Sequence, residues 1–417
     1  MTPSGGSGTQ VVAVGGRAPC AAVCRLDPAN PGRYRGAMAI TPRQAAPPEH
    51  APTARGRWDR PRRLAVLVAI LVVFAWAASG PIRHVAGLVG ASDWGSDWRW
   101  LQDGLDRLAA GLPLNRPEYV TAPFSQATGS DGAPTYTWSL HPPYNASLVA
   151  ALLLVPAGIR EGAWAGLMAV ALAGAVLLAW PRRLWWGTSL LLAAAALGPP
   201  LYGPSIGLVD QLHFANPNAL VLLGLALAWW GRRRASGRAA IALVATGVVL
   251  AAVKIVPAMG LAAWLLAARE GRGVVARGSL LAAAVLIALT LPVLLLDPGV
   301  IGDTIAVQLN VVPLANATNL APSAWLAPLL GTGAAAWISR GVGLGLMGFV
   351  LARRLDGPGG FVLAATAPLL VTPQLWAHWF LLPILAALFA AGAWPRLRGL
   401  DARLRSAGAG GRAPLRG

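Results

Sequence analysis

The stretch GVVLAAVKIVPAMGLAAW, residues 247–264, holds a single charge, Lys254, inside an otherwise almost wholly apolar run from Ala239 to Ala268. Read as two membrane helices, Ala239–Val253 and Pro257–Ala268, the run places Lys254 in the short turn between them. Lys254 is the only lysine in the chain; the other 33 basic residues are arginine. One reading is a lysine whose stem lies along apolar surface while its head snorkels to water. Yet every other helix-end cation reads as an arginine on the opposite, cytoplasmic side. A point charge facing an anion such as a phosphate is the sharper reading.

Composition sets the class. Of 417 residues, 56% are hydrophobic and 12% charged, too apolar for a soluble domain and suited to a polytopic membrane protein. The net charge of +18 does not indicate nucleic-acid binding, because the arginines sit in short clusters between apolar runs, as the positive-inside rule expects. Cys20 and Cys24 form a lone C-x3-C without a nearby histidine, a poor zinc site and no disulfide framework. Residues 1–60 have no apolar run of spanning length and read as a disordered cytoplasmic tail. RWDRPRR (Arg57–Arg63) then precedes the first span. Residues 61–395 read as the transmembrane domain and 396–417 as a basic cytoplasmic tail.

Eleven apolar runs follow: Leu64–Ser79, Ala146–Ile159, Gly162–Trp180, Leu184–Leu197, Pro217–Trp230, Ala239–Val253, Pro257–Ala268, Gly278–Leu296, Ala334–Ala352, Phe361–Val371 and Trp376–Trp394. If all crossed, the arginine clusters would alternate wrongly. Ala146–Ile159 is the run to remove: about 14 residues make roughly 21 Å of helix against a core of about 30 Å, and HPPYN disfavours an ordinary helix start. Read as a re-entrant or outer-surface helix, it leaves about ten spans with both termini cytoplasmic. The outer face then carries the loop Gly80–Asn145, the loop Gly198–Asn216, the Lys254 turn, the loop Asp297–Gly333 and the turn VTPQLW. Those segments hold most of the polar, proline-rich and tryptophan-rich motifs, so binding or chemistry is expected there.

In the first outer loop, SDWRWLQDGLDRLAAGL offers Ser96 as N-cap and Asp97 in the first turn. Leu101, Leu105, Leu108 and Leu112 repeat at helical spacing opposite Gln102, Asp103, Asp106 and Arg107, an amphipathic helix on the outer surface. Trp94, Trp98 and Trp100 suit the membrane interface. Asp93 and Asp97, four apart, are candidates for a helix-start charge or a catalytic base. SLHPPYN (Ser139–Asn145) carries His141 and Tyr144 behind an extended Pro-Pro turn. DQLHFANPNAL (Asp210–Leu220) crowds Gln211, His213, Asn216 and Asn218 at one helix start; Asn216 before Pro217 is a good N-cap pair, and capping explains only one of the four. NVVPLANATNLAPSAWL (Asn310–Leu326) holds Asn310, Asn316 and Asn319. Asn145 and Asn316 match the glycosylation acceptor tripeptide. Arg340 lies about six residues into a span, a functional candidate by position. His378 stands between Trp376 and Trp379 at the start of the last span.

These pieces, in this order, resemble glycosyltransferase family 87, membrane enzymes of the GT-C class. The matching elements are SDWRW with Asp97, HPPY with Pro142 and Pro143, QLHFANPNAL, KIVP with Lys254 and Pro257, and TPQLWAHW with Pro373, Trp376 and His378. They cover about residues 64–395; His141 stands where the family has tyrosine and Thr372 where it has serine. The resemblance implies an all-α GT-C-like bundle of about ten transmembrane helices, an outer amphipathic helix and a re-entrant segment. It implies transfer of a sugar, mannose in many members, from a polyprenyl-phosphate donor to a lipid or glycan acceptor at the outer face of the cell membrane. In that scheme Asp97 is the base, while Lys254, His378 and Arg340 meet the donor phosphate, with no metal or other cofactor. Substrate contacts are expected from Asp93, His141, Tyr144, Gln211, Asn216, Asn218, Asn319 and Trp376. A flippase for lipid-linked sugars would instead place charges near mid-membrane in two repeated halves, and no internal repeat is visible. A non-catalytic polyprenyl-lipid binder is the remaining alternative.

Overall fold

The computed structural model describes residues 68–69, 71–72, 97–121, 141–179, 189–190, 193–194, 207–233, 235, 237–311 and 319–391, all within the unit Arg57–Gly417. Residues 1–60, Cys20, Cys24, Asp93, Asn316, the tail 396–417 and most of the runs 64–79 and 184–197 lie outside the described residues. The described residues form helices and no strand. In chain order these are α1 (Asp97–Ala109), α2 (Pro117–Thr121), α3 (Tyr144–Ala150), α4 (Arg160–Ala179), α5 (Gly207–His213), α6 (Asn218–Arg233) and α7 (Gly237–Ala251). There follow α8 (Ile255–Leu266), α9 (Arg272–Leu296), α10 (Val300–Asn310), α11 (Pro322–Leu330), α12 (Thr332–Ala352), α13 (Pro358–Val371) and α14 (Leu381–Ala391).

Among the described residues, three helices are long and apolar enough to cross a membrane: Ala157–Ala179, Arg272–Leu296 and Thr332–Ala352. α9 shows why lipid is their solvent. Leu280, Ile287, Leu291 and Leu295 project from it, Leu295 with 82% of its surface free, a density of exposed apolar side chains that water does not tolerate. The chain is therefore a membrane-embedded helical protein. α7, α8, α13 and α14 are apolar but shorter.

Two opposite ends of the bundle are identified by what gathers there. The ends of α6 and α8 meet the α12–α13 turn: Arg232 pairs with Asp356 at 3.1 Å and donates to the Trp264 carbonyl, and Trp264 Nε1 donates to the Asp356 carbonyl. Trp229, Trp264 and Phe361 pack behind this pair, and the Arg232 guanidinium lies 4.2 Å over the Trp264 ring. At the other end, the start of α6, the α7–α8 turn and the α13–α14 connection border one cavity. α6, α7, α8 and α13 thus run alternately between an arginine end and a cavity end. Small residues let α6 and α7 touch backbone to backbone: a Cβ on Gly247 would stand 2.6 Å from Ala228 N, and one on Gly224 would stand 2.6 Å from Ala251 N, close packing that replaces the hydrophobic drive absent in lipid.

Several sequence expectations change here. HPPYN starts a helix rather than blocking one: Pro143 has αR backbone (φ −56°, ψ −38°), since a first-turn proline sacrifices an amide with no helical partner anyway. The following 3-10 turns, Ala151–Leu154 and Ala157–Ile159, break at the extended Val155 and Pro156, so the segment 144–159 makes no continuous spanning helix. Its carbonyls are met by Arg160, which donates to Val155 at 2.7 Å and Leu153 at 2.9 Å. Arg160 leads α4 in from the cavity end, so Lys254 is not the only helix-end cation there. The loop Asp297–Gly333 is largely helical, containing α10 and α11. Trp98 is buried against Trp164, ring centroids 6.0 Å apart, rather than at an interface, and Leu112 lies past the end of α1, exposed.

Candidate functional site

The turn between α5 and α6 is the hub. α5 ends in a Schellman motif: Asn216 N–H reaches the Gln211 carbonyl and Ala215 N–H the Leu212 carbonyl, each at 3.2 Å, with Ala215 in the left-handed region at φ +50°. Glycine usually fills that position, and a residue with a Cβ gives up about 1–2 kcal/mol there. The strained turn is held by the Trp164 indole, which donates to the Ala215 carbonyl at 2.8 Å. It is held too by Asp97 N–H at the start of α1, 3.2 Å from the Phe214 carbonyl.

Asn216 follows directly. Its Oδ1 accepts from Asn218 N–H at 2.9 Å, the cap expected of an Asn-Pro pair. The same oxygen accepts from Lys254 Nζ at 3.1 Å, while Nδ2 donates to Asp97 Oδ2 at 2.5 Å. One amide therefore joins the carboxylate of α1 to the ammonium of the α7–α8 turn. Lys254 is 9% exposed and lies 4.4 Å over the Trp379 ring. Burial pushes the Asp97 carboxyl up to about 6, with Lys254 and the Asn216 amide pulling it back. Burial pushes Lys254 down to about 8, opposed by Asp97. Each group keeps its charge near neutral pH chiefly through the other.

The Lys254 turn is itself fixed from α3. Tyr144 Oη donates to the Ala252 carbonyl, and Asn145 Nδ2 donates to the Val253 carbonyl at 2.8 Å. These bonds satisfy the last carbonyls around α7 and set the direction of the lysine stem. Asn145, buried and committed to this bond, presents no amide to a glycosylating enzyme.

Asp97, Asn216 and Lys254 line a cavity of about 210 Å³ with Trp100, His141, Phe214, Ile255, Val256, Pro257, Gln308, Thr372, Gln374, Trp376, His378 and Trp379. That is room for roughly seven waters at about 30 Å³ each, or for one small ring. Burial, with the Lys254 cation, pushes His141 down to about 3, so its imidazole is neutral at physiological pH. Trp376 and His378 lie nearly parallel, 12° between planes and 6.3 Å between centroids. Among the described residues, no three His, Cys, Asp or Glu side chains gather as metal ligands. A buried base, a buried cation and aromatic walls can accept a hydroxyl proton at one side and hold an anion at the other.

Of the site residues expected from sequence, Asp97, Lys254, His141, Asn216, Trp376 and His378 meet in this cavity. Arg340 does not. Its guanidinium donates to the carbonyls of Leu309 (3.1 Å), Gln308 (3.0 Å) and Val311 (2.7 Å), closing the C-terminal end of α10, and it is not a phosphate ligand in this arrangement. Asn319 is likewise spent on backbone: Nδ2 donates to Pro373, and Oδ1 accepts from Ala321 and Leu375, which pins the 372–376 connection. Gln211 donates to the Asn216 carbonyl, and Tyr144 to Ala252. Asn218 is fully buried in the first turn of α6. These four lie outside the lining. Gln308, Gln374, Thr372, Trp100 and Trp379 also line the cavity, beyond the site residues the sequence predicts. Gln374, Thr372 and Trp379 sit in or beside the quoted VTPQLW motif, whereas Gln308 carries no sequence signal, since only the docking of α10 brings it there. No family model, no curated protein and no solved structure matches the chain.

Proposed function

We propose that the protein is a multi-pass membrane glycosyltransferase that moves a sugar from a polyprenyl-phosphate donor to the hydroxyl of a lipid or glycan acceptor. In this reading both termini are cytoplasmic, about ten helices cross the membrane, and the cavity opens at its outer face. The observation that carries the reading is the Asp97–Asn216–Lys254 chain at an apolar, tryptophan-lined cavity. Asp97 takes the proton of the acceptor hydroxyl as its oxygen attacks the anomeric carbon. The bond from that carbon to the phosphate oxygen breaks, and the electron pair leaves on the lipid phosphate. Lys254, which neutralises Asp97 in the resting state, meets the growing phosphate charge as Asp97 becomes protonated. Attack opposite the leaving group inverts the anomeric centre.

The test supplies radiolabelled polyprenyl-phosphate-mannose and candidate acceptors to the purified protein. Asp97→Asn is expected to lower transfer about a thousandfold, in the range of a positioned general base, with the same elution profile and helix content. Full activity in that variant removes Asp97 as base. Movement of donor across a liposome without transfer makes the protein a flippase, and binding alone makes it a carrier.

A further inference from the structure

The wall of the cavity formed by residues 372–379 carries polar groups the structure leaves unspent. His378 is 3% exposed, and neither ring nitrogen has a hydrogen-bond partner; Thr372 Oγ1, on a residue 9% exposed, has none either. Both line the cavity. Native proteins rarely bury such groups unpaired, and these two open on the cavity, where a bound ligand would supply the partner. The wall is built to stay in place without one: Asn319 and Ser323 bond the Pro373 carbonyl, Leu320 N–H bonds the Leu375 carbonyl at 2.8 Å, and the Trp376 ring flanks the imidazole.

The chemistry of the free atoms selects the ligand. A neutral imidazole offers one donor and one acceptor, and a threonine hydroxyl offers both. A phosphate oxygen only accepts and would leave acceptor positions bare. A pair of sugar hydroxyls donates and accepts, and matches both side chains. The cavity already has its cation in Lys254, whose ammonium stands over Trp379 and is tied to Asn216. We propose that His378 and Thr372 form a hydroxyl-recognition subsite that takes ring hydroxyls of the donor sugar, while the phosphate is left to Lys254. This rests on the reading that the cavity holds a lipid-phosphate-linked sugar, and it reassigns His378 from phosphate to sugar.

The experiment measures binding of three lipids to the full-length protein in nanodiscs: polyprenyl phosphate, polyprenyl-phosphate-mannose and polyprenyl-phosphate-glucose. For the wild type, at least one sugar-bearing lipid is expected to bind about tenfold more tightly than bare polyprenyl phosphate, the worth of one or two net hydrogen bonds. His378→Phe and Thr372→Val should each erase most of that advantage and leave bare-phosphate affinity within about twofold. His378→Gln, which keeps a donor and an acceptor, should recover part of it. Lys254→Met should weaken all three lipids alike. If His378→Phe weakens bare polyprenyl phosphate as much as the sugar-linked lipids, the histidine is a phosphate ligand and the proposal fails. Equal binding of all three lipids by the wild type also overturns it while leaving the phosphate site standing. Binding of none brings down the transferase reading and the subsite with it. Should His378→Phe fail to fold, the near-isosteric Thr372→Val decides the question alone.

Discussion

Asn216 is one side chain with three partners, and its amide has one orientation that satisfies them all: oxygen toward Lys254 and Asn218 N–H, nitrogen toward Asp97. Turning the amide over would set two donors against the ammonium and an acceptor against the carboxylate. The protonation states of the pair then set the pH response. Asp97 must be ionised to act as base, so transfer should rise with pH through about 6. Lys254 must be charged to hold the phosphate, so transfer should fall through about 8. Initial rates from pH 5 to 9.5 should trace a bell, and Lys254→Arg, with a guanidinium that does not deprotonate there, should keep its acid limb and lose the alkaline one. A flat profile contradicts the assignment. Stability has the opposite character. Asp97 is raised, so its folded form binds a proton more readily than the unfolded form, and its contribution is lost as pH rises through about 6. The pair serves chemistry rather than stability. Lys254→Met alone should lower stability by about 2 kcal/mol by stranding the carboxylate, and adding Asp97→Asn should restore most of it; thermal unfolding in detergent reads both.

Between helices, contact distance decides which glycines matter. Gly247 and Gly224 press on the facing backbone of α6 and α7, so Gly247→Val should cost about 3 kcal/mol or prevent folding. Gly345 on α12 has nothing within 4 Å of its added Cβ, so Gly345→Ala should be neutral or slightly stabilising through helix propensity. The two melting temperatures, measured side by side, test the packing. α10 supplies a second case. Its outward residues Ile301, Ile305 and Leu309 are apolar and exposed, while Val300, Thr304 and Val307 face inward, and Arg340 closes its end. Arg340→Lys keeps the charge but loses the planar fork that spans three carbonyls. Melting temperature should fall for Arg340→Lys, while donor KM stays near the wild-type value. A selective rise in KM at unchanged stability would return Arg340 to the phosphate site.

Across the whole molecule, the separation of an arginine end from a cavity end is the testable frame. In a variant with Cys20 and Cys24 replaced, Leu112→Cys should react with a membrane-impermeant maleimide on intact cells, and Arg354→Cys only after permeabilisation. Reaction of both from one side would refute the arrangement. The membrane class was legible in composition and in runs of apolar residues, because hydrophobicity needs no knowledge of neighbours. Lys254 stood out for a related reason: an ionisable group inside a long apolar stretch is expensive wherever the chain folds. Asp97 was readable as a charge in the first turn of an amphipathic helix. Asn216 as a cap was readable because capping is local. Asn319 and Tyr144 are candidates by residue type and Arg340 by its place inside a span, yet a polar side chain next to backbone carbonyls and one next to a ligand look identical in one dimension. Gln308 reached the cavity only through the docking of α10, and the link from Asp97 through Asn216 to Lys254 spans 119 and 38 residues of chain. By itself the sequence determined solvent class, local caps and which charges would be costly. The tertiary structure alone decided which polar groups spend their hydrogen bonds on backbone and which keep them for a ligand, because that depends on distances of a few ångströms between segments remote along the chain.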